Sequence, residues 1–554
     1  MQKLIFFVVV SVCGGFVLYP LAFLVLMALN TGPPTAWPPE QYGLANFAGL
    51  ADSPAVLLNT LYVSLLSSGM TMVFGCLLAW ILSRTSVPGR GILEQLMGLP
   101  YYVTPLLGAL AWAALGGPRS GLLNQLWYAM GGRAPLINVY SPAGIAWVMA
   151  LFEGSVAFVM ISAAMKSMDP ALEESSQVLG AGKLQTAVRI TLPLMTPAIL
   201  GTAIFVFAEM LGSFSAAAIL GMPDRFFVVT TAIWTLILRF PPDYPLAAAM
   251  GLSLFAIMAG LMYLYGRIVT AGSYATITGR AYRPRALRMG WMTWLLFAVC
   301  VAYLVLAVVL PMATLGYVSL LRFVTVIPKD VHWTLSNYQT AFEMAPVRSA
   351  LVNSLLLGVA TATIGALLMA VLSLIIYRTR MPGRQLLEYV VMFPQSVPRM
   401  VFGLGLLMAW VVMPVPVYGT LWLLLIAYLT VFLPLGVRTL SGVVLQIDRS
   451  LEESARVCGA SWLYQVRTVT MPLLRPGLIA AWMLLFIASV REVGASVLLV
   501  GPRAKVLGPA ILSSWESAGT QLTAAMALVQ VLVVFAALAV LVATVGRVWR
   551  AGDE

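Results

Sequence analysis

Apolar stretches of about 20 residues recur along the whole chain, each long enough to cross a bilayer as a helix. Hydrocarbon offers no water to backbone N–H and C=O groups, so a spanning segment must bond them internally. A barrel would need short alternating strands, and these runs are continuous. About twelve spans are expected, near 4–29, 57–82, 92–114, 143–165, 195–220, 246–269, 290–317, 350–376, 388–411, 417–437, 475–500 and 522–546. Composition agrees: 9% of residues are charged, against roughly 25% in soluble domains. The expected fold class is therefore an all-α polytopic membrane protein.

The net charge of +12 does not call for a nucleic-acid partner, because the 32 Lys and Arg are scattered through short loops between spans. Most fall in one set of loops, including Arg84 and Arg90, Arg280 to Arg288, Arg378 to Arg384, and Arg547 and Arg550. The positive-inside rule makes that set cytoplasmic, and with it both termini. Lys3 and the apolar run after it resemble a secretory signal, but the run reaches Leu29 without a small-residue cleavage site. It reads as an uncleaved first span. Cys13, Cys76, Cys300 and Cys458 have no evident oxidising-side partners, so no disulfide is expected. His332 is the only histidine, which excludes a histidine metal cluster, and the methionines suit membrane packing.

The second half of the chain repeats the first. Asn59-Thr60-Leu61 corresponds to Asn353-Ser354-Leu355, and Arg84-Thr85-x-x-Pro88-Gly89-Arg90 to Arg378-Thr379-x-x-Pro382-Gly383-Arg384. Glu94 and Pro100 correspond to Glu388 and Pro394, all at one offset of 294 residues. A polar segment is also duplicated, EESSQVLGAGKLQTAVRITLP at 173–193 and EESARVCGASWLYQVRTVTMP at 452–472, at an offset of 279. The first half thus carries extra residues between the two sets of markers, expected in the outside loop at 115–141. Six spans separate each motif from its copy, which keeps the copies on one membrane face and makes the repeat parallel. Two repeats at 54–269 and 349–546 are expected, joined by a Gly-, Arg- and Pro-rich linker at 270–289, with 1–30 and 290–317 as an extra first helix of each half. The Pro-rich segment 31–39 and the loop around His332 lie outside and suit a soluble partner.

The duplicated segment mixes Val178, Leu179, Leu184, Val188 and Ile190 with Glu173, Glu174, Lys183 and Arg189. Such a mixture suits short amphipathic helices at the membrane surface. Gly180 and Gly459 permit the sharp turn that ends a helix, and Pro193 and Pro472 suit the first turn of the next span. The segments resemble the signature EAA-x3-G-x9-I-x-L-P of permease subunits in type I (MetI-like) binding-protein-dependent ABC importers. Here it reads Glu174-Ser175-Ser176, Gly180, Ile190, Leu192, Pro193, then Glu453-Ser454-Ala455, Gly459, Val469, Met471, Pro472. Two such units in one chain are similar to the ferric-iron and thiamine permease group, which includes aminophosphonate transporters.

The resemblance implies two MetI-like six-helix repeats and an ATPase-coupling role for Glu173, Glu174, Gly180, Pro193, Glu452, Glu453, Gly459 and Pro472. Its implied partners are two copies of a cytoplasmic ABC ATPase, an outside substrate-binding protein and the lipid of a bacterial inner membrane. The chain has no phosphate-binding loop; Gly180-Ala181-Gly182-Lys183-Leu184 lacks the leading glycine and the Ser or Thr after lysine. ATP and Mg would therefore belong to the partner, and no cofactor or metal to this chain.

Charges also interrupt the spans. Arg491 and Glu492 break the eleventh and Glu209 the fifth, while Glu153 and Arg399 lie near spans. A charge at bilayer depth costs roughly 2.5–3.5 kcal/mol on insertion scales, so such residues face protein or water. Two readings stand open: a translocation pathway or gate through Glu209, Ser213, Arg399, Arg491 and Glu492, or an ion pair that holds the fold together. The stretch 490–496 resembles the Lys-Glu-Leu-Pro-x-Thr stretch of fused iron-type permeases, and Ser213 stands where its first-half acid would be. The rival class is a twelve-span ion-coupled transporter, which also has parallel halves but no evident need of the duplicated polar segment. No catalytic constellation points to an enzyme. Ferric iron is the first expected cargo, with thiamine, an aminophosphonate or a polyamine as alternatives.

Overall fold

The computed structural model describes residues 2–33, 38–50, 54–168, 171–271, 289–379, 381–411 and 416–550. Most of the expected linker, 272–288, lies outside them, as do part of the Pro-rich segment at 34–37 and Arg280 to Arg288. The regular elements among the described residues are all helical, apart from two isolated bridges, Asn30 to Tyr42 and Leu321 to Trp333. Nine of their helices are long and apolar enough to cross a membrane, and three bent helix pairs bring the total to twelve. The protein is an all-α polytopic membrane protein.

The bent pairs replace straight spans expected at 92–114, 388–411 and 417–437. They are Arg90–Tyr102 with Pro105–Gly116 (90°), Arg384–Ser396 with Arg399–Val411 (107°), and Leu421–Val431 with Leu433–Gln446 (49°). Proline explains the first two breaks. Its ring excludes the helical region for the preceding residue, and Thr104, before Pro105, is extended at φ −72°, ψ 147°. Thr104 then caps the second piece, its hydroxyl accepting from the Leu107 N–H at 3.1 Å. Val397, before Pro398, is extended in the same way.

The fifth and eleventh spans begin and end earlier than expected, at Ala187–Leu211 and Val466–Arg491. Their helices stop at Leu211 and Arg491, and short helices follow at Ser215–Leu220 and Val229–Leu238, and at Ser496–Leu499 and Leu507–Ser517. A side chain of each half's long span, Pro54–Arg84 or Ala345–Arg378, caps the later short helix. Thr60 accepts from the Val229 N–H at 2.8 Å and Ser354 from the Leu507 N–H at 2.8 Å. Their neighbours Asn59 and Asn353 donate to the carbonyls of Phe227 and Lys505. The duplicated Asn-Thr/Ser-Leu marker is thus the latch that holds the chain after each break.

Pro193 and Pro472 do not open a new helix. Each sits just beyond a π-helical turn, Ala187–Thr191 or Val466–Thr470, within helical backbone that continues from the turn into the span. A third such turn, Val305–Val309, precedes Pro311. A proline inside a helix lacks a donor and crowds the carbonyl four residues back; widening the turn before it relieves both problems.

The chain divides into two compact units, 1–52 with 233–255 and 338–554, and 53–232 with 256–337. In the first, the long span Ala345–Arg378 packs against Leu433–Gln446 and Met471–Arg491. In the second, Pro54–Arg84 packs in the same way against Pro142–Ser167 and Leu192–Leu211. The first helix of each half belongs to the unit built on the other repeat. Gln2–Leu29 packs on Arg399–Val411, where Gly405 lies so close to Pro20 that a Cβ would meet its carbonyl oxygen at 2.7 Å. Helix Leu310–Ser319 packs on Pro105–Gly116, and Tyr303 donates to the Leu151 carbonyl at 2.8 Å. Between Gly116 and Pro142 the first half carries an additional helix, Leu122–Ala129, pinned by Asn124, which donates to the carbonyls of Gly117 and Ile137.

Candidate functional site

Each duplicated segment folds as a short helix, a glycine turn and a second helix that runs into the span. The first helices are Ala171–Val178 and Arg449–Val457. Gly180 and Gly459 take left-handed backbone, φ 86° and 83°, which an L side chain adopts at a cost of roughly 1–2 kcal/mol. The turns close as helix C-terminal caps: the Ala181 N–H donates to Ser176 O at 3.1 Å and the Ala460 N–H to Ala455 O at 3.0 Å. A side-chain bond ties the two arms in each copy, Ser176 to Thr186 at 3.1 Å and Arg456 to Gln465 at 3.0 Å. Asp448 caps its helix by accepting from the Ser450 N–H at 2.9 Å. That bond, with the Ser450 hydroxyl, holds the exposed carboxyl below the usual range.

The paired glutamates divide their work. Glu173 and Glu452 are buried, whereas Glu174 is half-buried and Glu453 exposed. Arg84, at the end of the first long span, lies 3.0 Å from Glu173 through Nε and donates to the Met165 carbonyl at 3.1 Å. Thr191 completes the arrangement by donating to Glu173 at 2.6 Å. Arg378 repeats it at the end of the second long span, donating to the carbonyls of Val444 and Ile447, with Nε 3.9 Å from Glu452. Leu374, Val444 and Leu474 form a buried apolar cluster beside it. The second clamp is slacker: Arg378 Nε and the Thr470 hydroxyl, the counterpart of Thr191, have no hydrogen-bond partner among the described residues. Withdrawing two charges from water costs several kcal/mol per ion unless they meet in good geometry. Each clamp therefore fixes a duplicated segment to the C-terminal end of a long span.

The tips beyond the clamps are apolar and open. Val178 and Leu179 are 87% and 88% exposed, Val457 is 88% exposed, and Cys458 stands exposed where the first copy has Leu179. Burying a side chain of valine or leucine size is worth about 1.5–3 kcal/mol, so each tip offers a small apolar anchor rimmed by polar groups.

Of the interrupted-span residues, Arg399 and Glu492 come together. Glu492 follows the end of helix Met471–Arg491 and is buried; one carboxylate oxygen accepts from the Ala495 N–H at 2.9 Å, the other from Arg399 Nη1 at 3.4 Å. The guanidinium of Arg399 is half exposed. Arg491 is the last residue of that helix. Glu209 and Ser213 belong to the other unit: Glu209 is half-buried near the end of Leu192–Leu211, and the Ser213 carbonyl accepts from Thr230 at 2.8 Å. Among the described residues no group of three or more His, Cys, Asp and Glu could hold a metal ion. Sequence reasoning missed the clamping role of Arg84, Arg378 and Thr191. The recurrence of Arg84 and Arg378 at one fixed offset was the available signal, and it was absorbed by the positive-inside rule.

Known permease proteins are similar to this chain in sequence. The ferric transport system permease protein of Actinobacillus pleuropneumoniae is 27% identical over 511 residues, 90% of this chain and 72% of the relative. A probable ABC transporter permease protein of Sinorhizobium fredii is 27% identical over 87% of this chain and 85% of its own length. The molybdenum transport system permease protein of Escherichia coli is 31% identical over 186 residues, 33% of this chain and 79% of the relative. The family described as binding-protein-dependent transport system inner membrane component matches twice, over 71–271 and 362–549. With its two copies taking up most of the sequence, the chain belongs to that family, as two permease units fused in one polypeptide.

Proposed function

We propose that this permease is the membrane subunit of an ATP-driven ABC importer in a bacterial inner membrane, with both termini in the cytoplasm. Each clamped segment seats one copy of a cytoplasmic ABC ATPase, and a soluble binding protein delivers a small hydrophilic solute from outside. The observation that carries this reading is the duplicated clamp: Arg84–Glu173 and Arg378–Glu452 hold two like helix–turn segments with exposed apolar tips. Glu174 and Glu453 point their charge toward the partner, and the glycine turns permit close approach. Because each clamp joins the segment to a long span, motion of the ATPase pair passes to the spans as rigid movement and alternates access. Arg399, Glu492, Arg491, Glu209 and Ser213 supply the polar groups of the pathway. Ferric iron is the first cargo to try, on the likeness to ferric permeases, followed by thiamine, an aminophosphonate or a polyamine.

The test is uptake by the full chain in vesicles with its ATPase and binding protein. Expected are co-purification of two ATPase copies per chain and uptake that requires hydrolysable ATP inside. Uptake driven by an ion gradient with no ATPase bound would overturn the proposal in favour of a secondary carrier.

A further inference from the structure

The second repeat carries a groove of about 400 Å³ between the helices Ala345–Arg378, Met471–Arg491 and Thr520–Arg550. It opens on a lipid-facing surface. Val352, Leu356, Val359 and Leu367 form an exposed apolar stripe along Ala345–Arg378, at the spacing of one helix face. Such a stripe on a spanning helix is covered by hydrocarbon. Thr363 interrupts the stripe, and the groove answers it: the Trp482 indole N–H donates to the Thr363 hydroxyl at 3.0 Å. Trp482 also stacks on Phe486, with ring centroids 5.5 Å apart and planes 5° apart. This fixes a flat aromatic wall, and Leu478 and Val540 line the rest. Arg475 stands exposed among the lining residues, four residues after the helix begins at Met471. Seven residues, or roughly 10 Å of helix rise, separate it from Trp482. A cation near the cytoplasmic end and an apolar trough beneath it match the head and chain of an anionic lipid.

The repeat supplies an internal comparison. At the same register the first half has Gly69 for Thr363, Thr196 for Arg475 and Ala203 for Trp482, while Phe207 matches Phe486, so it lacks the hydroxyl, the cation and the indole together. We propose that the groove of the second repeat binds one anionic phospholipid, its head on Arg475 and an acyl chain along Trp482. This site is independent of how transport is powered.

The purified full chain, equilibrated with equal phosphatidylglycerol and phosphatidylethanolamine, is expected to retain phosphatidylglycerol preferentially by native mass spectrometry. Arg475→Gln should lower that retention roughly five-fold, the effect of one basic residue at an anionic surface, and Arg475→Lys should keep it. A second arm does not depend on the native groove. Gly69→Thr, Thr196→Arg and Ala203→Trp together should add a second retained phosphatidylglycerol, and Gly69 has open space for a side chain. Equal retention of the two lipids, or unchanged phosphatidylglycerol in both Arg475→Gln and Trp482→Ala, would overturn the proposal.

Discussion

Replacing Glu173 by alanine removes the anion from the better bonded clamp. Arg84, its side chain 4% exposed, would keep one described partner, the Met165 carbonyl, and the Thr191 hydroxyl would lose its acceptor. Breaking a buried pair by removing one partner costs about 3–5 kcal/mol. Burial of both groups leaves little solvent screening to reduce that figure. Glu452→Ala removes a contact of 3.9 Å from an arginine that retains two carbonyls, so about 1–2 kcal/mol is expected there. Hydrogen exchange over 171–191 in the purified full chain reads the difference directly. Local opening in Glu173→Ala should rise by about two to four decades, well beyond the change over 452–470 in Glu452→Ala. Co-purification of the ATPase should fall in the same order. Replacing both Arg84 and Glu173 by methionine should recover most of the loss, because a matched apolar pair is often neutral where a broken ion pair is not. The reasoning is refuted if Glu173→Ala leaves exchange unchanged, or if the coupling between the two positions is below about 0.5 kcal/mol.

Further outcomes follow from the same geometry. Gly180→Pro with Gly459→Pro should abolish ATPase docking while the spans still insert, since proline is locked near φ −65° and both turns need positive φ; normal ATP-driven uptake would refute the coupling role. Glu492→Ala should slow transport about tenfold with little loss of ATPase assembly, whereas equal loss of both would mark the Arg399–Glu492 pair as purely structural. Thr60→Val leaves the Val229 N–H without its acceptor and should cost about 1–3 kcal/mol, read as a lowered melting temperature. Cys458, exposed at the second tip, should react with a maleimide in the free permease and be protected when the ATPase binds; unaltered labelling would show that this tip is not covered.

Periodicity and spacing made the membrane class, the duplication and the two polar segments legible in advance, because each is a local property of the chain. What stayed hidden depends on partners far apart. Glu173 and Glu174 are adjacent and chemically identical, and only the return of Arg84 from 89 residues away makes one a buried anchor. Pro100 and Pro394 were visible as markers of register, yet the breaks lie at Thr104 and Val397, each set by the proline that follows it. The π-turns before Pro193 and Pro472 could not be read either, since a hydrophobic run looks the same whether the proline opens a helix or lies within one. Arg399 and Glu492 are 93 residues apart, and their association follows from packing alone.

The exchange of first helices between the two units bears on how the protein is made. Helix Gln2–Leu29 is synthesised long before the surface against Pro20, which is supplied by Gly405 and its neighbours on Arg399–Val411. At about 5–20 residues per second, the first helix waits on the order of 20–70 s in the membrane before its partner emerges. During that interval its inward face, including Val17 and Leu24, which end fully buried, must rest against lipid or an insertion factor. Closure of this unit therefore waits for the second repeat, and a ribosome that stalls there leaves helix Gln2–Leu29 without a seat.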